Sequence, residues 1–221
     1  MYSENTLEAF RSRYRANINQ WYNGYIHMLF VIVVGVSYIA FREQSIANWR
    51  SGEIFIFLVT IIVWNFTEYF VHSRLGHQKR KLAAMFYKRH TGDHHSFFSE
   101  KELVPKDHKD WRVTLFPAWL VIVTGIIASI VGWSVGLLIG EELGAVISVG
   151  LMVGYLGYEF CHFCDHLPQD HLLVKFPWIG HMRHLHSLHH RRDIMHQKNF
   201  SITFPLADLV FGTFYWEKPK R

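Results

Sequence analysis

Cysteine is scarce in this chain, with two among 221 residues. Two thiols cannot build the covalent framework of a small secreted domain, so that class is excluded. Charge is scarce too: Asp, Glu, Lys and Arg make up 19% of the residues, against 50% hydrophobic. A disordered chain shows the reverse balance. No internal repeat and no low-complexity linker divides the sequence, and its length suits one domain, residues 1–221. The first apolar run follows about 24 mostly polar residues and lacks a small-residue cleavage site, so it is expected to stay as an anchor. The metalloprotease pattern His-Glu-x-x-His is also missing, which excludes that arrangement of zinc ligands.

Four stretches are almost free of charge. They are Ala16–Phe41, with its apolar centre at Tyr25–Phe41; Ile54–Thr67, continuing through Glu68 to Val71; Val113–Gly140; and Leu143–Tyr158. A bilayer core takes roughly 20 apolar residues as a helix. The first and third stretches are long enough. The second and fourth reach that length only by running past Glu68 and Tyr158 into histidine-rich sequence, as a helix would if it left the membrane carrying ligands at its end. A soluble all-α protein needs fewer such stretches. The expectation is therefore an all-α integral membrane protein of about four transmembrane helices with a cytoplasmic histidine-rich helical cap.

Basic residues set the orientation. Of 23 Lys and Arg, 21 lie in residues 1–24, 72–112 and 159–221, and the expected outer loops, 42–53 and 132–142, hold only Arg42 and Arg50. This asymmetry places both termini in the cytoplasm. The net charge of +5 then points to anionic lipid headgroups. Nucleic acid is not an expected partner, because the basic residues flank apolar spans rather than form a nucleic-acid motif.

Sixteen histidines are present, and ten stand in four clusters. His72 and His77 close the second span, and His90, His94 and His95 follow. His162 and His166 close the fourth span, and His186, His189 and His190 come after it. All four clusters fall on the side that lysine and arginine independently assign to the cytoplasm. His162 and His166 are four apart and share a helix face. His186, His189 and His190 are expected on one face with three ligands converging, and His90 and His94 on another. His72 and His77 are five apart, about 140° around an ideal helix. They converge only if the helix ends or bends, and Gly76 offers a place. Ten neutral imidazoles exceed what one ion takes, whereas two ions with about five ligands each use them all. Imidazole alone suits Fe, Cu, Ni or Zn.

The other histidines read differently. His27 lies mid-span, and His108 and His171 are isolated, which favours structural or headgroup roles; His181, His184 and His196 stand near the last cluster with their roles open. Glu68, Asp93 and Asp165 could accept the outer N–H of a ligand histidine, or simply cap helices and face water. Cys161 and Cys164 form a lone CxxC without a second pair, and read as small apolar residues. Trp64, Phe66, Phe70 and Trp119 are candidates for an acyl path, or ordinary packing and lipid-facing residues.

A span, HX4H, an HH pair, two spans, HX3H and HX2HH in this order resemble the membrane fatty acid hydroxylase and sterol desaturase superfamily, over about residues 55–215. The tail from His196 through Asn199, Phe200, Asp208 and Thr213 looks like the family's ending, with Ser201 where glycine is usual. The fatty acid 2-hydroxylase branch is the nearest, sharing HX4H and a stretch like Leu103-Val104-Pro105. Two features depart from it: His90 lies four residues before His94 rather than three, and two extra residues separate His190 from His196.

The resemblance implies a di-iron oxygenase in which His72, His77, His90, His94, His95, His162, His166, His186, His189 and His190 hold two Fe ions, with Zn as a substitute in purified protein. It implies O2 as co-substrate and hydroxylation of a lipid acyl or alkyl chain drawn from the bilayer. Larger members carry a fused cytochrome b5 domain, for which this chain has no room, so a separate donor (cytochrome b5, a ferredoxin or a reductase) is expected. The compact, unfused chain suggests a bacterial inner membrane rather than the endoplasmic reticulum. Carotenoid hydroxylases and sterol or lipid desaturases share this metal logic and stay open as alternatives. The alternative outside enzymes is a metal-binding membrane transporter. Transporters place ligands near the bilayer midplane, where only His27 lies here. Oligomeric state is not indicated.

Overall fold

The computed structural model describes residues 4–218; the three residues at either end of the expected 1–221 unit lie outside it. In chain order the α-helices are α1 (Glu4–Ala16), α2 (Gly24–Glu43), α3 (Ser51–Phe70), α4 (Ala84–Tyr87), α5 (His95–Phe97), α6 (Trp111–Thr114), α7 (Leu120–Ile139), α8 (Glu141–Asp165), α9 (Pro177–His189) and α10 (Leu206–Phe211). Extended pairing among the described residues is limited to one isolated bridge, Ser99 with Glu102. The four long helices contain no proline, and Pro177 opens α9 where its missing N–H costs nothing.

Among the described residues, four helical segments are long and apolar enough to cross a membrane: Gly24–Glu43, Ser51–Gly76, Leu120–Ile139 and Glu141–Asp165. The second and fourth do run past Glu68 and Tyr158 into the histidines, reaching 26 and 25 residues. The outer loop expected at 132–142 is much shorter. α7 continues to Ile139, and the chain reverses at Gly140, whose φ of 107° suits a residue without a Cβ. Residues 132–139 are nearly all apolar. In lipid their backbone groups find partners only within a helix, which favours extending α7.

α8 is the central helix: 61% of its apolar window is buried, against 22%, 22% and 17% for the other three. It packs against α2, α3 and α7. The α7–α8 contact is set by Gly132 and Gly144. A Cβ at Gly132 would stand 2.4 Å from the Gly144 carbonyl oxygen, and one at Gly144 2.3 Å from that of Gly132. The close approach lets the Ser148 hydroxyl donate to the Ala128 carbonyl at 3.0 Å. Such small-residue packing and interhelical hydrogen bonding drive association where lipid removes the hydrophobic incentive. Outward faces are apolar, with Leu29, Leu58, Ile122, Ile126 and Ile130 exposed, as a lipid-facing surface requires.

The short helices gather at the end of the bundle where α3 and α8 finish. α1 is tied there by buried polar contacts. Arg15 grips Asp110, which is fully buried, through two bonds of 2.9 and 2.8 Å. Arg11 donates to the Phe97 carbonyl at 2.8 Å and pairs with Glu102. These contacts fasten the 97–110 segment as a cover over the histidines.

Candidate metal centre

Two π turns shape the site. α3 passes directly into a π turn at Val71–Gly76, closed by the His77 N–H donating to the His72 carbonyl at 3.1 Å. Closure over five residues stacks side chains five apart. His72 and His77 thus converge, Nε2 to Nε2 at 3.3 Å, without the break expected at Gly76. A second π turn, Lys88–His94, does the same for His90 and His95, whose Nε2 atoms are 3.0 Å apart. The partner of His90 within its cluster is therefore His95, and the expected pairing with His94 across four residues is not the one that forms. His94 turns to the far side, 3.1 Å from His190 and 3.3 Å from His162.

α9 departs from expectation in the same way. His186, His189 and His190 do not converge on one point. His189 meets His77 at 3.0 Å, while His190 meets His186 at 3.0 Å and His186 meets His166 at 3.0 Å. His189 and His190 are neighbours on a helix, about 100° apart, so they aim at different places. Both adjacent pairs, His94–His95 and His189–His190, straddle two centres.

The result is two nitrogen clusters. Ring nitrogens of His72, His77, His90, His95 and His189 lie within 4.8 Å of one another, as do those of His94, His166, His186 and His190. His162 borders the second cluster through His94. The clusters touch, with the His95 and His190 rings 4.4 Å apart. All ten residues are buried, none more than 7% exposed.

The donor set fits metal ions. Every one of the ten turns Nε2 inward, at neighbouring separations of 2.7–3.3 Å. Imidazole nitrogens sit about 2.0–2.1 Å from a first-row metal, so ligands on one ion stand about 3.0–3.4 Å apart. Four of the ten outer nitrogens face backbone carbonyls, whereas Nδ1 of His95, His186 and His190 is buried without a partner. Nδ1 of His94 faces the Val113 carbonyl at 3.1 Å, His166 that of Leu103 at 2.7 Å, and His189 that of Lys198 at 2.8 Å. His72 Nδ1 faces the Phe200 carbonyl. Each carbonyl needs the proton on Nδ1, which leaves Nε2 a bare lone pair. Lone pairs facing each other at 3 Å repel unless a cation lies between them.

None of the three candidate carboxylates is hydrogen-bonded to a ring nitrogen of the clusters. Asp93 holds Lys88 at the surface at 3.0 Å. Both Asp165 oxygens are buried without a hydrogen bond. Glu68 anchors a strap formed by the tail: its Oε1 accepts from Asn65 Nδ2 (2.8 Å), the Ile202 N–H (3.1 Å), the Thr203 N–H (3.0 Å) and the Thr203 hydroxyl (2.8 Å). Asp208 holds the same strap from the other side through the Phe200 and Ser201 N–H groups at 2.9 and 2.7 Å. Asn199, at φ 57°, binds the Leu185 and Tyr215 carbonyls and brings Lys198 and Phe200 over the rings. The histidines emerge at helix ends beneath loops, where backbone carbonyls are the nearest acceptors. These carbonyls, with Asn65, Asn199 and Asp208 as positioning residues, escaped the sequence reading. Only the Asn199…Asp208…Thr213 tail pattern hinted at them.

Burial, reinforced by neighbouring imidazoles, holds His77, His90, His95, His186 and His190 well below the usual histidine range. Burial pushes His166 and His189 down to about 3. The rings are neutral near pH 7, the form that binds metal. Other histidines stand apart. His27 bridges Tyr22 and the Phe116 carbonyl, each at 2.9 Å. His108 packs on Tyr25, and His171 is exposed. His181 stacks on Trp216, and His184 meets the Glu217 carbonyl at 2.6 Å. His196 stays at the edge, its Nδ1 3.4 Å from that of His77. Cys161 and Cys164 are free thiols.

A cavity of about 430 Å³ opens beside the first cluster, reaching His72 and His90. Trp64, Thr67, Leu151, Tyr155 and Tyr158 line it. Along α7 it extends from Leu120 to Val131, about 16 Å at the helical rise. Of the four aromatic candidates, Trp64 faces this space, Phe66 and Phe70 pack on Phe211, and Trp119 is 46% exposed.

The chain resembles known proteins along most of its length. The fatty acid hydroxylase family model matches residues 57–213. The chain is 28% identical over 178 residues to fatty acid 2-hydroxylase of Mus musculus, covering 78% of this chain and 42% of that protein. It is 27% identical over 183 residues to the Homo sapiens fatty acid 2-hydroxylase, covering 80% and 44%. It thus spans less than half the length of these relatives. A solved structure described as full-length scs7p, with only its hydroxylase domain visible, shares the fold at a TM-score of 0.60 and 22% identity, covering 88% of this chain and 67% of that one. A family match over residues 57–213, together with histidines brought together from four separate segments, places the chain in the fatty acid hydroxylase family.

Proposed function

We propose that the chain is a membrane oxygenase that hydroxylates a lipid acyl or alkyl chain, using O2 and electrons from a separate donor. One observation carries this reading: two touching, buried sets of inward-facing Nε2 atoms stand at the end of a mostly apolar cavity inside a membrane-sized bundle. The ten clustered histidines are the ligands, five to each of two iron ions, with His162 completing the second set. Residues 1–221 act as one unit, and the distribution of lysine and arginine supports cytoplasmic termini.

Bound iron would supply the O2 chemistry that cleaves an unactivated C–H bond, which no side chain here can perform. The protein's own tasks are positional. The strap carbonyls hold His72 and His189 in the tautomer that leaves Nε2 free. The cavity aligns a hydrocarbon chain so that one carbon lies beside His72 and His90, and its apolar walls exclude water. No protein nucleophile or general acid is required.

The test is metal content followed by product analysis. Protein purified in detergent and loaded anaerobically with ferrous iron should hold two ions per chain, and a His189→Ala, His190→Ala double variant should lose or halve them. With a reductant and O2, lipid products should gain one oxygen atom. Loss of two hydrogens instead would make the enzyme a desaturase, and metal content indifferent to the variant would sink the oxygenase reading.

A further inference from the structure

A basic groove of about 810 Å³ lies between α1 and the start of α7. Arg13, Lys88, Arg89 and Arg112 line it beside Met85 and Trp119. Asp93 is the one acid among its lining residues, and Lys88 occupies it at 3.0 Å. Arg89 spends one nitrogen on the Arg112 and Leu115 carbonyls, at 2.8 and 3.1 Å. Arg112 Nη1 is buried with no hydrogen-bond partner. Four cationic side chains against one carboxylate call for an anionic oxygen in the groove. Trp119 and Met85, each 46% exposed, place the groove at the membrane interface, just before α7 enters the apolar layer.

A small void lies between this groove and the cavity at the histidines and shares walls with both. This throat of only about 10 Å³ shares Met85, Arg89, Pro117 and Trp119 with the groove. The same throat shares Phe86, Phe116 and Leu120 with the cavity. Phe86 and Phe116 meet edge to face across it at 6.0 Å. Phe116 is braced behind by Tyr158, stacked at 5.3 Å. Basic groove, aromatic constriction and apolar slot ending at His72 and His90 thus lie in series.

We propose that the groove is a headgroup subsite, so that the protein selects acyl chains bearing an anionic oxygen group, a carboxylate or a phosphate. Arg112 and Arg13 receive that group, and the chain passes between Phe86 and Phe116 toward the histidines. The inference rests on the lipid-oxygenase reading and adds to it a substrate class. A neutral head gains nothing from these cations, so the groove favours anionic heads over neutral ones.

Binding tests this without turnover. Single-chain ligands of equal length are titrated into the full chain in a neutral detergent at pH 8 and followed by native mass spectrometry: palmitate, palmitoyl lysophosphatidic acid, neutral monopalmitoylglycerol, and inorganic phosphate alone. Both chain-bearing anions should bind about 10- to 30-fold tighter than the neutral ligand, as two interfacial cations provide. The tighter of the two identifies the source of the anion. An Arg13→Gln, Arg112→Gln double variant should fall toward parity while its affinity for the neutral ligand is unchanged, and Lys101→Gln should alter nothing. Should the double variant not fold, exposed Arg13→Gln alone should lose a substantial part of the preference. Phe86→Trp, which narrows the throat, should weaken all chain-bearing ligands together.

Parity in the wild type, or a preference that survives the double variant, overturns the proposal. So does inorganic phosphate binding as tightly as the chain-bearing anions. Metal content measured on the same samples separates the two readings. Two ions without headgroup preference defeat this inference alone, whereas preference without bound metal defeats the oxygenase reading and leaves a lipid site.

Discussion

Glu68 offers the sharpest test of how the tail controls the metal centre. Its Oε1 accepts four hydrogen bonds, three of them from the strap residues Ile202 and Thr203. Ile202 is 1% exposed and Thr203 8%, so water is a poor substitute. Glu68→Ala would leave two buried backbone N–H groups without an acceptor, at about 1–3 kcal/mol each. The strap would then be weakened by about 2–6 kcal/mol. Its displacement removes the Phe200 and Lys198 carbonyls from His72 and His189, two of the five histidines in the first cluster and none in the second. Loss of such supporting contacts costs about 10- to 100-fold in metal affinity. Chelator competition on the iron- or zinc-loaded protein should therefore show one ion weakened by that factor and the other retained. Glu68→Gln keeps an oxygen at the same place and should bind both ions nearly as the wild type does. Equal weakening of both ions, or glutamine as damaging as alanine, would refute the strap argument.

Further outcomes follow from the same geometry. His94→Ala and His95→Ala, though adjacent, should each perturb a different ion, distinguishable by spectroscopy of cobalt-substituted protein; identical spectra would contradict the split. Gly132→Leu should destabilise the α7–α8 pair by about 3 kcal/mol or more, because even a Cβ there lies 2.4 Å from the Gly144 carbonyl oxygen; a thermal melt checks it. Metal-free protein should lose stability in acid. His166 and His189 fall from an unfolded value near 6.5 to about 3 when folded. Between those values the unfolded chain binds more protons, so their contribution is present above about pH 6.5 and declines as pH falls toward 3, by about 2 kcal/mol for each at pH 5. Unfolding midpoints equal at pH 7.5 and 5 would contradict this. Val131→Phe fills the deep end of the cavity and should shift the product profile toward shorter chains, read by lipid mass analysis.

Much of this protein is legible along the chain because it depends on local chemistry. Charge-free runs between clusters of lysine and arginine mark the membrane helices, since burying a charge in lipid is costly at any position. Sixteen histidines, ten of them clustered near span ends, mark a candidate metal site because imidazole is a neutral, directional ligand. Even the continuation of α3 and α8 past Glu68 and Tyr158 follows from span length alone.

Which histidine serves which centre is a different matter. Helical spacing paired His90 with His94 and gathered His186, His189 and His190 on one face; His90 pairs with His95 instead, and of the three only His186 and His190 meet. An i, i+4 rule assumes α-helical closure, whereas π turns at Val71–Gly76 and Lys88–His94 align residues five apart. Adjacent ligands can then diverge to two sites, and only the packing of α3, α8 and α9 around them determines where those sites lie. The supporting acceptors are backbone carbonyls of Leu103, Val113, Lys198 and Phe200. Every residue carries such a group, so side-chain identity does not announce it. Composition and spacing thus determined that the chain has membrane-length helices and gathers imidazoles able to hold metal; the tertiary structure alone decided the pairing, the tautomers and the cavity beside them, because each depends on atoms far apart in sequence meeting within about 3 Å.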